Sequence, residues 1–507
     1  MRNCQCRRRF CLLKMYGMDL ILLGLSWGGF FRCRLADSDT MWGNIDPGAT
    51  LISRRSNFRW LGYIGDSFSY QILNYYPYEH CVLSFALFLI VLAAALLFLQ
   101  LTFRDTLSIS HWDRKWKIVY LAITSLCFIN VLSSELFYFT ESYLIFKASL
   151  LAAMAGCFLF GRKHYVTGTV LFFVAPMFYQ MSSIYAALVL CTLAYLEEEG
   201  KGFLRICQKE FAYLLAALAG GVLNYVTGPW ICQKISRRVG FDISPSKQIR
   251  QESMLETLKK IMPQLRELYE SSLGLMMPVW LPAIFSLLIT GLVLYILVRM
   301  GEKQQIGIYL IYKVVSFALM CGMSVVSFQN EFVCRVTAPF YTMQAMNALI
   351  ALFYLKRAGK QAAEWIAEAA VIGYLAMQCF FIQIIISNRI LSENLDILYA
   401  NQVLDYVKKY EEQTGKKVFD AAFCADSSCS EYYEQVDYCH SAINSRIAGK
   451  ATYSLVETVA LWRGMDLGRG EMDSWVYEEY FAGKNWDSFD PEEQIVIMNG
   501  TLYWCVF

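Results

Sequence analysis

The sequence has little charge and lacks the short motifs of several common enzyme classes. Only 17% of its 507 residues are Asp, Glu, Lys or Arg, and the net charge is +2. So small a positive charge gives no general attraction to nucleic acid. There is no Gly-rich phosphate loop, no ordered Ser, His and Asp triad, and no Cys and His spacing typical of zinc sites. The sequence therefore predicts neither a nucleic-acid partner nor a zinc centre.

The disulfide framework of a small secreted domain is also absent, although the chain has 17 cysteines. Many lie in apolar runs, as Cys127 and Cys157 do, where a thiol behaves as a small buried hydrophobe. The exceptions are Cys424, Cys429 and Cys439, which lie in a polar stretch. Their close spacing predicts a disulfide between Cys424 and Cys429, or between one of these and Cys439, provided that the stretch lies outside the cytoplasm.

The most prominent feature of the sequence is a series of long apolar segments. Hydrophobic residues make up 56% of the chain, and the mean hydropathy is +0.37, well beyond that of a soluble globular protein. The Arg7–Arg9 cluster precedes an apolar run without a clear cleavage site, which indicates an uncleaved first span. We predict a polytopic α-helical membrane protein with about 11 transmembrane helices. The predicted spans are 10–31, 81–103, 117–133, 143–160, 165–178, 181–196, 211–227, 279–298, 306–328, 337–355 and 366–386.

The distribution of basic residues predicts the topology. If the chain breaks at Pro176 and Tyr179-Gln180, so that 165–178 and 181–196 are separate spans, most basic residues fall into one set of loops. If the two spans are merged into one helix, the basic residues after residue 196 are no longer on that side. By the positive-inside rule, that set of loops is cytoplasmic. The segments predicted to lie outside the cytoplasmic membrane are 32–80, 134–142, 228–278 and 387–507.

Two domains are predicted. Residues 1–386 form the transmembrane domain, with large outer loops at 32–80 and 228–278, and residues 387–507 form a small extracytoplasmic α/β domain. Shorter elements follow from apolar periodicity. They are amphipathic surface helices at 53–76 and 245–272, tail helices near 394–411, 430–443 and 451–463, and strands at 417–423 and 501–507.

Two acids of the first outer loop are candidate catalytic residues. Asp37 and Asp39 follow the first predicted span. A carboxylate near the membrane surface can take a proton from a sugar hydroxyl, and two acids one residue apart can share a divalent cation. Taken alone, the two acids also fit ordinary residues of a hydrated turn. A divalent cation is the one cofactor that the sequence leaves open.

Arginines on the same side are candidate phosphate ligands. Arg54, Arg55 and Arg59 follow in the first outer loop, and Arg335 is the one basic residue of a short outer loop. A guanidinium binds phosphate bidentately, which Lys cannot do. For Arg54 and Arg55 we favour contact with lipid headgroups. For Arg335, ligand binding and a structural role both stay open.

A third group of residues, at helix entrances on the same side, are candidates for binding the lipid phosphate and the sugar. Glu135 and Glu141 frame one outer loop, Lys147 enters the next span, and Tyr179 and Gln180 form the following outer turn. Ionisable groups at membrane depth are costly and usually functional. The alternative is a simple pair between Glu141 and Lys147, or exposure at the interface.

Parts of these segments resemble a known family. The run Ala36-Asp37-Ser38-Asp39-Thr40-Met41-Trp42-Gly43, followed by Asn57-Phe58-Arg59-Trp60-Leu61-Gly62, is similar to the first outer loop of the bacterial serotype-converting glucosyltransferases. That family has an adjacent acidic pair followed by Trp and Gly, then an Asn-Gly-Arg-aromatic-Leu-Gly segment. The Tyr179-Gln180-Met181-Ser182 turn is similar to a Tyr-Gln turn there. This chain departs from the pattern at Ser38, which separates the acids, and at Phe58, which replaces Gly. Over the rest of the chain, the resemblance lies in the overall architecture, including the polar tail after the last span, and not in sequence motifs.

The resemblance implies the membrane-embedded C-type glycosyltransferase fold and a hexosyltransferase activity. Such enzymes transfer a sugar, glucose in this family, from a polyprenyl-phosphate donor to an envelope glycan outside the cytoplasmic membrane, with inversion at the anomeric carbon. Asp39, which lies nearer to Trp42-Gly43, is then the expected base, with Asp37 as the other candidate. Arg59 and Arg335 are expected to hold the leaving phosphate.

Three other functions stay open on the sequence alone. A flippase or other transporter of lipid-linked glycans needs a water-filled path with charges in mid-membrane, whereas the acids and arginines here gather at one surface. An envelope polysaccharide polymerase usually carries its chemistry in large mid-chain outer loops, and 228–278 is such a loop. A non-catalytic scaffold is the third.

Overall fold

The structure is a computed structural model. It describes residues 2–33, 51, 54–55, 57–73, 81–139, 142–199, 201, 203–238, 254–276, 279–326, 332–358, 361–437 and 443–507. The candidate residues Asp37, Asp39, Glu141 and Cys439 lie outside these ranges, as does the whole run 36–43.

The described residues form helices and a small sheet. The helices are α1 Arg2–Trp27, α2 Trp60–Gln71, α3 Cys81–Arg104, α4 Arg114–Ser125, α5 Ser134–Tyr138, α6 Tyr143–Gly161, α7 Tyr165–Phe178, α8 Ser182–Glu197, α9 Phe203–Arg238, α10 Met254–Ser271, α11 Leu281–Met300, α12 Lys303–Val326, α13 Cys334–Thr337, α14 Pro339–Ala358, α15 Gln361–Thr414, α16 Ala448–Trp462, α17 Ser474–Val476 and α18 Pro491–Gln494. The strands are β1 Asp420–Ala425, β2 Gly468–Arg469, β3 Ile495–Met498 and β4 Thr501–Val506.

Seven helices in the described ranges are long and apolar enough to cross a membrane by length and composition. They are α3, α6, α9, α11, α12, α14 together with the short α13, and α15. Each overlaps a predicted span, but α9 continues to Arg238, so the first residues of the predicted outer loop 228–278 are helical instead. The apolar helices α7 and α8 are shorter, and the chain breaks between them at residues 179–181, close to Pro176, as predicted. The chain is thus a helical protein with membrane-crossing character, and the count of about 11 spans stays a prediction.

The predicted span 117–133 is wrong as a single helix. The helix α4 ends at Ser125, and a 3-10 turn, Val131–Ser133, leads into the short α5. The side chain of Asn130 accepts hydrogen bonds from the backbone N–H of Ser133 at 3.0 Å and from its hydroxyl at 3.1 Å. Such local side-chain bonds stabilise a turn at the expense of a continuous helix. Residues 126–139 are all buried. Irregular backbone at membrane depth is tolerated where protein surrounds it.

The last predicted span and the first tail helix are one element. The helix α15 has 54 residues, about 80 Å at 1.5 Å per residue, and neither Gly nor Pro interrupts it after Gly373. It ends at Gly415, whose φ of +67° is the left-handed conformation typical of a helix stop. The predicted boundary between residues 386 and 387 therefore lies inside a helix.

The chain forms two compact units. The first holds residues 1–29, 51–137 and 142–383, and the second holds residues 384–507 with described residues 30–33 and 138–139. In the second unit, the strand order is β2-β1-β4-β3; β1 is parallel to β2 and β4, and β3 is antiparallel to β4. Asn499 and Gly500 join β3 to β4 with φ of +52° and +82°, as in the tight Asn-Gly hairpin turn.

Several tail predictions are confirmed and others are wrong. The strand expected at 501–507 is β4, and the helix expected at 451–463 is α16. The strand expected at 417–423 begins at Asp420, and residues 431–437 form turns and bends rather than a helix. Cys424 and Cys429 are free thiols, so the expected bridge between them is not present. Cys424 lies instead on β1, opposite Cys505 of β4.

A carboxylate from α15 organises the second unit. Asp396 is fully buried and accepts hydrogen bonds from the Tyr433 hydroxyl at 2.7 Å and from the backbone N–H of Ile447 at 2.7 Å. Ile447 is the N-cap position of α16, and its own side chain makes no capping hydrogen bond. A carboxylate is favourable at a helix N-terminus. The sequence-distant Asp396 therefore caps α16.

In the first unit, basic residues from separate loops meet at one end of the helices. Arg162 pairs with Asp105 at 2.5 Å. Arg357 pairs with Glu199 and, at 3.0 Å, with Glu302. These pairs join the ends of α3, α6, α8, α11 and α14. This is the arrangement that the alternation of basic loops predicts, and it leaves the opposite helix ends for the acids and arginines discussed below.

Candidate functional site

The segment from Arg54 to Arg59 ends a helical turn. The backbone N–H of Arg59 donates to the carbonyl of Arg54 at 2.9 Å, and the N–H of Phe58 donates to that of Arg55 at 3.1 Å. Phe58 has a φ of +56°. This pattern, with a left-handed residue at the stop, is the usual helix-ending motif, and glycine adopts it at least cost. Phe58 thus occupies a glycine-favouring conformation at the position where the resembled family has Gly.

Three contacts hold this segment against the helix ends of the first unit. The Gln180 side-chain amide donates to the Asn57 carbonyl at 2.8 Å. The Asn224 amide, on α9, lies 3.4 Å from the Phe58 carbonyl and 3.2 Å from that of Pro176. A side chain at Gly62 would lie 2.8 Å from Ile145 of α6, so only glycine allows α2 so close. The loop and the 179–181 turn are therefore one packed assembly.

Arg59 and Arg335 converge on Tyr179. The guanidinium of Arg59 lies 4.7 Å from the centre of the Tyr179 ring, within cation–π range. The Arg335 guanidinium also lies near the phenol, where its positive charge favours the ionised form. Burial raises the pKa of Tyr179, and the two arginines partly oppose that shift. The Ser149 hydroxyl of α6 lies 2.9 Å from the Tyr179 carbonyl and fixes the turn. Two arginines distant in sequence thus share one phenol.

Glu135 holds Arg335 in place. Its carboxylate is fully buried, pairs with the Arg335 guanidinium, and accepts a hydrogen bond from the Arg335 backbone N–H at 2.7 Å. That N–H belongs to the first turn of α13, whose N-cap residue, Val333, makes no side-chain capping bond. The Arg335 side chain keeps 27% of its surface exposed. One carboxylate therefore caps a helix and orients an arginine that solvent or a ligand can reach.

Arg54 and Arg55 are part of the scaffold. Arg54 is 2% exposed and pairs with Asp66 of α2 at 2.8 Å. Arg55 is 4% exposed, and its guanidinium lies 5.3 Å from the Tyr63 ring. Such burial does not fit the predicted contact with lipid headgroups, because both side chains point into the protein. A buried ion pair of this kind fixes the orientation of α2.

The helix α2 has its polar face inward. Asp66 and Tyr70 are buried, whereas Ile64 and Phe68 are about half exposed, at 49% and 50%. An apolar stripe turned away from the protein suits a helix that lies along a membrane surface. The structure thus agrees with a surface helix, over a shorter range than the predicted 53–76.

The remaining candidates are Lys147 and three acids of the predicted outer loops. Lys147 lies on α6, half-buried, and makes no ion pair with any described residue. Its predicted partner, Glu141, is outside the described ranges, as are Asp37 and Asp39. Among the described residues, no group of three His, Cys, Asp or Glu side chains is placed to hold a metal ion.

Sequence reasoning missed four residues that build the site. Ser149, Asn224 and Asn130 are polar residues within apolar runs, and Asp66 is the one acid of α2. All four are buried. An isolated polar residue in an apolar run is the signal that could have found them, because burial of such a group requires a partner. Compared with known proteins, the chain matches no family model, no curated protein and no solved structure.

Proposed function

We propose that this protein is a membrane glycosyltransferase. It moves a hexose, glucose by the resemblance above, from a polyprenyl-phosphate donor to an envelope glycan at the outer face of the cytoplasmic membrane. The observation that carries the proposal is the convergence of Arg59 and Arg335 on Tyr179. It lies at the helix ends opposite the ion pairs of the basic loops, the end that the positive-inside rule assigns to the outer side.

In this proposal, the two arginines stabilise the leaving phosphate. As the bond between the anomeric carbon and the phosphate oxygen breaks, negative charge grows on the phosphate. Fixed guanidinium groups stabilise that charge best when they are oriented in advance. Glu135 orients Arg335, and the Tyr179 ring orients Arg59. Glu135 balances the charge of Arg335, which lowers the electrostatic cost of placing two guanidinium groups near each other.

In this proposal, an acid of the first outer loop activates the nucleophile. An acceptor hydroxyl attacks the anomeric carbon from the face opposite the phosphate, and its proton passes to a carboxylate. Asp39 is the preferred base and Asp37 its alternative. The support for this role is the resemblance given above, in which the acids and the arginine that corresponds to Arg59 belong to the same outer loop.

The test is turnover of polyprenyl-phosphate sugars by purified protein, measured as release of polyprenyl phosphate. Asp39→Asn keeps size but removes basicity, so turnover should fall by roughly 10²–10⁴, the usual share of general-base catalysis. Donor binding should stay unchanged. Asp113→Asn, at an exposed position beside α4, is the matched control and should be silent. Full turnover in Asp39→Asn and in Asp37→Asn would remove this loop from the chemistry.

Transport of lipid-linked glycans is the second candidate, and one observation favours it. The helix α14 carries a buried polar stripe of Tyr341, Gln344, Asn347 and Tyr354. Its partners are Ser272 at 2.6 Å, Ser286 at 2.9 Å, Tyr309 at 3.3 Å and Tyr195 at 2.9 Å. Movement of a labelled lipid-linked sugar across proteoliposomes, without release of polyprenyl phosphate, would favour transport over transfer.

A further inference from the structure

Two cysteines of the second unit face each other across the sheet. The parallel strands β1 and β4 pair in a register that puts Cys424 directly opposite Cys505. Residues opposite each other in this way have their side chains on the same face. On this face, side chains of β1 and β4 pack against Val476 and Phe481; they are Ala422, Tyr503 and Cys505. Cys424 is partly buried at the edge of this cluster. The two thiols are neighbours on that face, and each shifts the pKa of the other.

The spacing suits a covalent bond. Neighbouring strands lie about 4.8 Å apart, and disulfides join Cα atoms roughly 4.4–6.8 Å apart. We propose that Cys424 and Cys505 form a disulfide when the chain meets a low-molecular-weight disulfide such as oxidised glutathione. This pairing replaces the bridge that close spacing suggested for Cys424 and Cys429, and it does not depend on the proposed transferase activity.

Exposure assigns the roles of the two thiols. Cys424 is partly exposed, whereas Cys505 is 1% exposed. The neighbouring Cys505 thiol lowers the pKa of Cys424, and the Cys424 thiol together with burial raises the pKa of Cys505. The thiolate is the reactive form, so Cys424 is the attacking group and Cys505 the resolving group.

The reaction balances in two exchanges. The Cys424 thiolate attacks one sulfur of oxidised glutathione, which breaks the S–S bond and releases one glutathione as a thiolate. The Cys505 sulfur then attacks the Cys424 sulfur of the mixed disulfide, loses its proton and releases the second glutathione. The protein loses two electrons and two protons, and glutathione gains them.

The test is a titration of the full-length protein in detergent with oxidised glutathione, followed by alkylation and peptide mapping. We expect a Cys424–Cys505 linked peptide and loss of two alkylated thiols. Cys429→Ser is the matched control, because it removes another thiol close to Cys505 and should leave the link intact. A Cys424–Cys429 link, or no loss of thiols at Cys424 and Cys505, would overturn the proposal.

Variants separate the two steps. Cys424→Ser should leave Cys505 unmodified, because the attacking thiol is gone. Cys505→Ser should stop the reaction at a stable mixed disulfide on Cys424. If Cys505→Ser fails to fold, the mapping of the unsubstituted protein still decides the outcome. Glutathione bound at Cys505 in Cys424→Ser would contradict the assigned roles.

Discussion

At the scale of single residues, the most consequential arrangement is the double hold of Glu135 on Arg335. A buried carboxylate that binds both the backbone N–H and the guanidinium leaves Arg335 little freedom to rotate. Tyr179 is the shared neighbour through which Arg335 and Arg59 are brought together. The proposed phosphate site therefore depends on geometry that a lysine cannot reproduce.

Lysine replacements test this dependence. Arg59→Lys or Arg335→Lys keeps the charge but loses the planar fork, so affinity for a polyprenyl-phosphate sugar should fall roughly tenfold or more, since a hydrogen bond to a charged group is worth about 1.5–3 kcal/mol. The measurement is binding of the donor lipid to purified protein. Arg266→Lys, at an exposed position of α10, should change nothing. Unchanged affinity in both site variants would exclude these arginines from the phosphate site.

Glu411 predicts a pH dependence in the tail. Its carboxylate accepts hydrogen bonds from the Val418 N–H and the Lys417 ammonium, both at 2.9 Å. Burial raises the pKa of Glu411, but these bonds outweigh burial and lower it below its ordinary value of 4.5. A depressed pKa means that the ionised form favours folding. The stabilisation is present above about pH 4.5 and is lost as the pH falls through the folded-state pKa.

Hydrogen exchange of the Val418 amide, corrected for intrinsic pH dependence, measures this effect. Protection should be high at neutral pH and decline below about pH 4.5. In Glu411→Gln, protection should be lower at neutral pH and should lack that decline. Glu412→Gln, at an exposed side chain, should behave like the unsubstituted protein. Equal protection in Glu411→Gln and the unsubstituted protein would rule out the turn as a source of pH dependence.

At the scale of elements, the close crossing of α7 and α9 supports the site. A side chain at Gly220 of α9 would overlap the Phe172 carbonyl oxygen and would lie 2.7 Å from the Phe173 Cα. Small residues allow such backbone contact between helices in membranes. Asn224 follows one turn later and binds the carbonyls of Phe58 and Pro176. Separation of the two helices would therefore disturb the loop that carries Arg59.

Gly220→Ala tests this coupling. The added methyl group meets backbone rather than a flexible side chain, so we expect a loss of about 1–3 kcal/mol in stability, seen as a lower melting temperature in detergent, together with weaker donor binding. Gly291→Ala on α11 is the control, since nothing lies within 4 Å of an added Cβ there. A Gly220→Ala protein that melts and binds like Gly291→Ala would show that the crossing is not critical.

The elements also show what sequence can predict. Uniform apolar runs such as α3 were predicted well, because length and hydropathy suffice. The broken segment after Ser125 was not, because its backbone groups depend on Asn130 and on Gln378 of α15, whose side chain accepts from the Val131 N–H at 3.0 Å. Among the site residues, Arg335 and Glu135 were identified as polar groups at helix entrances. Their pairing across 200 residues has no signal in a single sequence.

At the scale of the whole molecule, the predicted topology can be tested by thiol labelling. Lys484→Cys provides a thiol reporter at an exposed position of the tail, and Lys303→Cys provides one at the start of α12. An impermeant thiol reagent applied to intact cells should label Lys484→Cys, whereas Lys303→Cys should react only after lysis, because basic loops stay in the cytoplasm. The native cysteines set the background. The opposite pattern would invert the topology and remove the proposed outer site.

The continuity of α15 has a consequence for dissecting the chain. A fragment that begins at residue 387 would start within a helical turn, and its first amide groups would lose the carbonyl acceptors of residues 383–386. Arg389 and Asp396, both buried in the second unit, lie in the turns that would fray next. Helical hydrogen bonds within α15 therefore continue past residue 387 without interruption. Proteolysis, which prefers exposed and mobile backbone, should find its cleavage sites elsewhere in this chain.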